Sequence, residues 1–442
     1  MLYVFDIETN GLRDKFTKIH CVSYSSLRGL VFSLTDFEEI KHFFSSLTEE
    51  DVLVCHNLIR FDIPVLEKHL GIKIKAKLYD TLAFSWYLYP KLNKHGLENW
   101  GEYLGVKKPE IGDWENLTLD EYVYRCEEDV KINLLLYKKI DNHLKVLYGG
   151  SYKSIWNFLT FNMKTIDLAY ENGWKVDTPL LDNNISFLTS EVTKKKLKLE
   201  SILPKVPKYK EKKKPKIFFN KNGDLSKKGQ SWINYCDLHN IDYDEPVIKY
   251  ISGYEEPNAS SHKQVKDFLF SKGWTPIEFK DSTKEGGGDP IPQVRKNGKL
   301  CISVRNLALK YPELEVLEDY YVIGHRASLL KGIKKLTKKG IVRADCSGFT
   351  NTLRLKHRGL VNLPGRKTPY GDKIRTILTH QNGILLGSDM SSLETRTKLH
   401  YMWDYDKPFV LEQMEDSFDP HLDLAIFGGA VTAQEVEDFK NA

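Results

Sequence analysis

Residues 5–12 read FDIETNGL, and they place Asp6 and Glu8 two positions apart on a stretch that otherwise has the apolar character of a buried strand. Side chains two positions apart on a strand point to the same face, so the two carboxylates are expected side by side. Like charges this close repel each other unless a divalent cation lies between them. The pattern therefore predicts a metal site. An acid at a strand end, with a second acid capping the following turn, is the alternative.

Two further acids lie in segments with a recognisable pattern. Residues 52–57 read VLVCHN and predict a strand that runs into a turn, and FDIPVL at residues 61–66 places Asp62 at the start of a helix. Apolar residues at helical spacing between positions 122 and 140 make Asp129 a helix residue. Four acids thus come from at least three elements, which favours a shared cation site.

This order of acids, D-x-E, then N-x(4)-D, then a helical Asp, resembles the three exonuclease motifs of the DEDD (DnaQ-like) 3′-5′ exonucleases, which have a ribonuclease H fold. The resemblance covers roughly residues 1–150. It implies that Asp6, Glu8, Asp62 and Asp129 hold two Mg²⁺ or Mn²⁺ ions about 3.5 to 4 Å apart, one activating water and the other stabilising the leaving 3′ oxygen. The implied reaction is in-line phosphodiester hydrolysis that releases nucleoside monophosphates.

The residue that orients the attacking water departs from this family's pattern. Many members carry a Tyr four residues before the last Asp or a His five before it, whereas this chain has Arg125 and Tyr124 there. Tyr124 is the candidate for orienting the water, and a half-buried helix aromatic is the alternative interpretation. Asn57 either touches the terminal nucleotide or closes the turn after its strand. Asp80 is expected to cap the helix that follows it.

The composition indicates a globular protein of two to four domains. The chain has 442 residues, 41% of them hydrophobic, and a formal net charge of +5 that by itself indicates nothing about nucleic acid. Lysines are concentrated, however, in one short run interleaved with Pro and Tyr: Lys205, Lys208, Lys210, Lys212, Lys213, Lys214 and Lys216. Such a run is a solvated loop or, beside a nuclease, an arm that contacts phosphates. In the second case Lys212, Lys213 and Lys214 would bind DNA, and binding would weaken steeply with salt.

The cysteines and the N-terminal residues indicate the cellular compartment in which the protein is expected. The six cysteines are widely scattered and form no C-x-x-C pair, so they predict reduced thiols and neither a zinc site nor a disulfide framework. No apolar run approaches the roughly 18 residues of a membrane span, and residues 1–5 lead straight into an acid without a charged leader. A cytoplasmic protein without membrane contact is expected.

Turn signals divide the remainder of the chain. Gly149 and Gly150 predict the end of the helix that carries Asp129, and residues 154–203 are expected to form two antiparallel helices. Residues 257–265 read PNASSHKQV and predict a capped helix. Its Asn and Ser groups either only cap the helix or also form an anion site at its N-terminus. The candidates for contacting DNA there are Asn258, Ser260 and Ser261.

That capped helix, followed by KGW at residues 272–274, resembles the N-P-S-S, helix, G-W element in the thumb of family A (DNA polymerase I-like) DNA polymerases, particularly the phage branch. Further elements in the same order resemble the family's palm. Arg354 and Asn362 match its contacts to the primer and template backbone. Residues 385–396 read LLGSDMSSLETR and resemble polymerase motif A, an apolar strand that ends at an acid and turns into a helix.

By this resemblance Asp389 binds the metals of nucleotidyl transfer, Glu394 lies under the sugar of the incoming nucleotide, and Arg396 packs or pairs behind them. Asp389 as a simple helix cap is the alternative. The family's fingers helix and its second palm acid find no match up to Ala442, so the chain alone is expected not to polymerise DNA. A naturally split gene, a truncated gene product or an artificial chain boundary would each account for this.

The predicted architecture is multidomain α/β and α+β: a ribonuclease H-like exonuclease domain (1–150), a thumb-like helical domain with a basic insertion (151–338) and an incomplete polymerase palm (339–442). The predicted function is a proofreading 3′-5′ DNA exonuclease within a replicative DNA polymerase. The alternatives are a catalytically idle DNA-binding subunit of a split polymerase and, less favoured, a DEDD ribonuclease with an unrelated tail. Expected partners are single-stranded 3′ ends, primer-template DNA, a C-terminal polymerase fragment and, as a further candidate, a processivity factor.

Overall fold

The computed structural model describes residues 1–108, 117–282, 288–296, 298–380, 382–415 and 418–441. The chain divides into two compact units, residues 1–381 and residues 382–442. Within the described ranges, no helix combines the length and the apolar character that a membrane crossing requires. The mixture of a central sheet, several smaller sheets and many helices confirms the predicted α/β and α+β fold class.

A five-stranded sheet forms the centre of the N-terminal part. Its strands are β1 (Leu2–Thr9), β2 (Ile19–Ser25), β3 (Val31–Leu34), β4 (Val52–Cys55) and β5 (Lys77–Asp80). Their spatial order is β3-β2-β1-β4-β5, with β1 antiparallel to β2 and parallel to β4. The strand predicted to carry Asp6 and Glu8 is therefore confirmed, and it lies in the middle of the sheet.

Helices pack on both faces of this sheet. In chain order they are α1 (Phe37–Ser46), α2 (Ile63–Leu70), α3 (Thr81–Leu88), α4 (Leu97–Leu104), α5 (Leu119–Tyr148) and α6 (Tyr152–Asn172). Val4 on β1 is buried in a core shared with α3, α4, α5 and α6, whereas Phe5 is buried on the opposite face with α1 and α2. Because strand side chains alternate, Asp6 and Glu8 share the face of Val4, which is the face that α5 covers.

The helix that follows residue 150 also packs into this core. A single 3₁₀ turn (Gly149–Ser151) separates α6 from α5, and Leu159 and Met163 of α6 are fully buried beside α5 residues. The domain boundary at residue 150 stays a prediction.

The middle of the chain is built on two long antiparallel helices. After β6 (Trp174–Val176) the helices are α7 (Thr178–Ile202), α8 (Lys227–His239), α9 (His262–Ser271), α10 (Ile302–Lys310) and α11 (Val316–Leu336). Ion pairs Lys195–Asp319 and Lys334–Asp182 join α7 to α11 near opposite ends. The two helices expected within residues 154–203 exist, but α7 pairs with α11 because its buried leucines pack against the apolar residues of α11.

The lysine-rich run forms a strand. It is β7 (Val206–Lys213), paired antiparallel with β8 (Val247–Glu255), and α8 lies against the resulting hairpin. Trp232 of α8 and Ile248 of β8 are both buried in a small separate core. This packing, which has no local signal in the Lys-rich sequence, explains why a segment expected to be a loop or an arm is a strand.

Short strands complete the first unit: β9 (Phe279–Lys280), β10 (Ile291–Pro292), β11 (Arg295–Lys296), β12 (Lys299–Leu300), β13 (Ile341–Val342), β14 (Asp345–Phe349), β15 (Leu355–Arg358) and β16 (Leu378–Thr379), with the short helix α12 (Gly371–Arg375) before β16. β6 lies between β13 and β16 in a three-stranded sheet, and β14 pairs with β15 as a hairpin. Ser261 caps α9 by accepting the Gln264 N–H, as predicted.

The second unit contains four helices among its described residues: α13 (Leu393–Met402), α14 (Lys407–Gln413), α15 (Pro420–Phe427) and α16 (Ala433–Asn441). The strand predicted to end at Asp389 is not formed, since residues 384–390 have no regular structure and Leu386 is 88% exposed. A strand needs a hydrogen-bonded neighbour, and none of the described residues pairs with this segment.

Candidate metal centre

Three of the four predicted acids meet where α5 crosses β1. Asp6, Glu8 and Asp129 each bring a carboxylate oxygen within 4.8 Å of the others. Asp129 is 4% exposed and projects from the buried face of α5. Asp62 joins the group through Asp6, because these two acids and the Cys55 thiol also lie within 4.8 Å of one another. The structure thus brings together all four acids predicted from the sequence.

A π-helical turn (Leu58–Asp62) positions Asp62, and Asp80 holds this turn. Asn57 before the turn has a left-handed backbone, with φ of 71°. The buried Asp80 carboxylate accepts the N–H groups of Asn57 and Ile59, both at 3.1 Å. It also caps α3 by accepting from Leu82 and Ala83, which confirms the predicted cap. Burial raises the pKa of Asp80 to about 6 although these backbone donors act in the opposite direction.

A second anchor of this turn comes from the other side. The Arg60 guanidinium donates to the Cys346 carbonyl at 2.8 Å and pairs with Asp345 at the start of β14. Arg13 in turn donates to the Arg60 carbonyl at 2.9 Å. The turn that carries Asp62 is therefore tied to β14, a link of nearly three hundred positions along the chain that sequence reasoning missed.

Two cations lie against the acidic group. The Arg125 Nε donates to Glu8 Oε1 at 2.8 Å, with only 14% and 13% of the two side chains exposed. The Lys108 ammonium donates to Asp129 Oδ2, with 17% and 6% exposed. Sequence analysis missed Lys108, which lies outside any regular element and so carries no periodic signal.

Arg125 and Tyr124 differ in their position on α5 relative to the acidic group. Arg125 precedes Asp129 by four residues and shares its helix face, whereas Tyr124 precedes it by five and is 57% exposed. The contact to the acidic group therefore comes from Arg125, and the role of Tyr124 stays a prediction that this geometry does not support.

Burial dominates the electrostatics of the acids. It raises the pKa of Asp6 well above its usual range, and the neighbouring Asp129, Asp62 and Glu8 carboxylates raise it further. Burial likewise raises the pKa of Asp62 to about 8 and raises the pKa values of Glu8 and Asp129, which Arg125 and Lys108 respectively oppose. Such a group of carboxylates strongly favours a bound cation.

Two thiols flank Asp6. Cys55 Sγ lies 3.8 Å from Asp6 Oδ1, and Cys126 Sγ lies 3.8 Å from Oδ2 and donates to the Asp6 carbonyl at 3.2 Å. Burial raises the pKa of both thiols well above the usual range, so they remain neutral donors that orient the carboxylate. All six cysteines are free, as predicted.

The donor set fits hard divalent cations such as Mg²⁺ or Mn²⁺. Asp62 Oδ2 and Asp129 Oδ1 are buried and accept no hydrogen bond from the described residues. A buried carboxylate oxygen without a partner is costly, and carboxylate oxygens are the ligands these ions prefer. Asp6, Glu8, Asp62 and Asp129 are thus the residues that could hold the metal.

The candidate DNA-contacting lysines differ in their surroundings. Lys212 Nζ lies 4.0 Å from the centroid of the Tyr235 ring, and Lys214 pairs with Asp244 at 2.8 Å. Lys213 is exposed on the outer face of the hairpin. Lys213 is consequently the best placed of the three for a phosphate.

At the start of α9, the candidate polar groups are partly used within the protein. Asn258 Oδ1 accepts the Ser260 N–H at 2.9 Å, Ser260 Oγ lies 3.2 Å from the Tyr320 hydroxyl, and Ser261 caps the helix. Beside them lies a cavity of about 480 Å³ whose cationic lining residues are Arg295 and Lys331, together with two histidines. No acid is among its described lining residues, so it is suited to an anion.

The palm-like candidates lie on exposed turns. Arg354 lies in the turn between β14 and β15, and Asn362 has a left-handed backbone with φ of 50°. In the second unit, Asp389 and Glu394 are both exposed, the latter in the first turn of α13. Arg396 donates to the Ser391 carbonyl at 2.9 Å.

Comparison with known proteins agrees with this geometry. Residues 3–142 match the model of the RNase H superfamily. The DNA-directed DNA polymerase of Escherichia phage T7 is 22% identical over 92% of this chain and 70% of its own length. DNA polymerase I of Streptococcus pneumoniae is 27% identical over 39% of this chain and 19% of its own length.

A solved structure extends the likeness to the fold. The POL domain of Pol1 from M. smegmatis, in complex with DNA primer-template and dNTP, superposes with a TM-score of 0.62 at 13% identity. The match covers 98% of this chain and 64% of that chain, so this protein spans a little under two thirds of it. The chain therefore contains an RNase H-like domain and is homologous to family A DNA polymerases.

Proposed function

We propose that the N-terminal domain is a metal-dependent 3′-5′ DNA exonuclease and that the remainder is the thumb and part of the palm of a family A DNA polymerase. The domain limits in this proposal are residues 1–150, 151–338 and 339–442. The observation that carries it is the meeting of Asp6, Glu8, Asp62 and Asp129 in one group. In this group the buried Asp62 and Asp129 each have a carboxylate oxygen without a hydrogen-bond partner among the described residues.

The chain's own residues have distinct parts in the proposed hydrolysis. Two divalent ions, when bound by the four carboxylates, would supply an activated water and charge compensation at the leaving oxygen. Arg125 orients Glu8, and because a guanidinium stays protonated and only donates hydrogen bonds, it cannot take the proton of the attacking water. Asp80 and Arg60 hold the turn that presents Asp62.

A nuclease assay tests the proposal. A 5′-labelled single-stranded DNA is incubated with Mg²⁺ and the native chain, the double variant Asp6→Ala/Glu8→Ala, or Asp141→Ala as a matched control. Asp141 also lies on α5 but pairs with Lys145 at 2.6 Å, away from the acidic group. A ladder that shortens from the 3′ end in the native chain and the control only is expected. No metal-dependent shortening in any sample would refute the proposal and favour the idle DNA-binding subunit.

The polymerase part of the proposal concerns DNA synthesis. Asp389 is the one carboxylate that the motif assigns to nucleotidyl transfer, and two-metal chemistry with a single acid is not credible. We propose that synthesis depends on a further polypeptide segment with fingers and a second palm acid, and that primer-template DNA is the substrate. Templated extension of a primer by the purified chain alone would contradict this. A processivity factor stays a candidate partner.

A further inference from the structure

Lys108 is the charged residue of the acidic group that lies outside helix and sheet. It follows α4, whose C-cap residue Gly105 has a left-handed backbone (φ of 76°). Val106 is tied back to α4 by its N–H, which donates to the Gly101 carbonyl at 2.9 Å. Lys108 is therefore tethered two residues from a fixed point, and its flexible stem brings the ammonium to Asp129.

The two cations of the group differ in how firmly they are held. Arg125 projects from the second turn of α5, and its planar guanidinium donates to Glu8. Lys108 is a compact point charge on a four-carbon stem, outside regular structure. Its ammonium donates to Asp129, and Asp129, Glu8 and Asp6 each bring a carboxylate oxygen within 4.8 Å of the others, so its charge lies close to three of the acids.

Asp129 is expected to bind the metal through the same carboxylate that Lys108 now occupies. Its Oδ2 accepts from Lys108, and its Oδ1 is buried without a partner among the described residues. A divalent ion on this carboxylate would lie close to the ammonium, and charges of the same sign repel strongly where solvent is excluded. Arg125 pairs with Glu8, another of the four acids, but it projects from a helix and has less freedom to move away than Lys108.

We propose that Lys108 is a built-in counter-ion that neutralises Asp129 in the metal-free site and leaves it when a divalent cation binds, so that Lys108 sets the affinity of the site for the ion. This inference rests on the proposed metal-dependent function. Lys108 is thus proposed to change the affinity for the metal ion and to take no direct part in cleavage.

The test is calorimetric titration of the full chain with Mn²⁺ in the absence of DNA. Lys108→Met keeps the length of the side chain and removes its charge, and it is expected to bind Mn²⁺ about tenfold more tightly than the native chain, which corresponds to about 1.4 kcal/mol. Lys131→Met is the matched control, because Lys131 is an exposed α5 lysine paired with Glu128 at 2.7 Å. Lys108→Arg retains the charge and is expected to resemble the native chain.

The outcomes separate this inference from the proposed function. Mn²⁺ binding that is lost in Asp6→Ala, and is equal or weaker in Lys108→Met, would overturn the inference and leave the metal site standing. Mn²⁺ binding that Asp6→Ala does not affect would overturn both. Thermal unfolding in chelator checks that each variant is folded, and Lys108→Gln replaces Lys108→Met if the latter is not.

Discussion

Replacing Asp62 by asparagine should change how the stability of the metal-free protein depends on pH. Asp62 is 3% exposed, and burial raises its pKa from 3.8 to about 8. Between pH 3.8 and about pH 8, Asp62 holds a proton in the folded protein and releases it in the unfolded chain. The free energy of unfolding therefore falls as pH rises through this window, and Asp62 contributes its full stability only below about pH 4.

The size of the effect follows from the pKa difference. Each pH unit within the window changes the free energy of unfolding by about 1.4 kcal/mol per group, so Asp62 alone accounts for a loss of roughly 4 kcal/mol between pH 5 and pH 8. The amide side chain of the Asp62→Asn variant does not titrate. The variant should thus lose about 4 kcal/mol less than the native chain over this interval and be the more stable of the two at pH 8.

The assay is denaturant unfolding in chelator at pH 5 and pH 8, followed by tryptophan fluorescence, to which Trp86 and Trp100 contribute from the core around the central sheet and Trp156 from α6 packed against it. Asp141→Asn is the control, because Asp141 lies in a surface ion pair outside the acidic group. An equal loss of stability between the two pH values in the native chain and in Asp62→Asn would refute the account of a buried, proton-holding Asp62.

Three other substitutions test neighbouring parts of the account. Asp80→Ala removes the acceptor of four backbone N–H groups and should lower stability by about 3 kcal/mol in thermal unfolding, with cleavage reduced as the π-helical turn loosens. Arg125→Ala leaves Glu8 without its partner and should reduce Mg²⁺-dependent cleavage about 10- to 100-fold, with partial recovery in Arg125→Lys; unchanged cleavage would exclude a positioning role. Lys213→Gln should reduce the salt dependence of duplex binding by about 0.9 in log–log slope, and an unchanged slope would exclude a phosphate contact.

The acids of the candidate metal centre could be predicted because their signals are local. Strand alternation alone puts Asp6 and Glu8 on one face, and helical spacing places Asp129 on a buried face. The same helical spacing also distinguishes Arg125 from Tyr124, since only the residue four positions before Asp129 shares its face. The contact of Arg125 with the acidic group could therefore have been predicted from helical spacing, although the family resemblance favoured Tyr124.

What sequence could not supply depends on contacts between distant segments. The Arg60 contact with β14 and the Lys108 contact with Asp129 come from residues without periodic neighbours. The lysine-rich β7 has few strand-forming residues and is stabilised by pairing with β8 and by Trp232 beneath the hairpin. The predicted strand before Asp389 has apolar residues but no described partner, which shows that local pattern alone does not make a strand.

The most direct test of the central claim is anomalous diffraction from crystals of the full chain grown with Mn²⁺ and a short single-stranded DNA. We expect Mn²⁺ bound by Asp6, Glu8, Asp62 and Asp129, with the 3′-terminal nucleotide of the DNA at the ions and Lys108 displaced from Asp129. Mn²⁺ bound only elsewhere, or a DNA 3′ end remote from these four carboxylates, would contradict it.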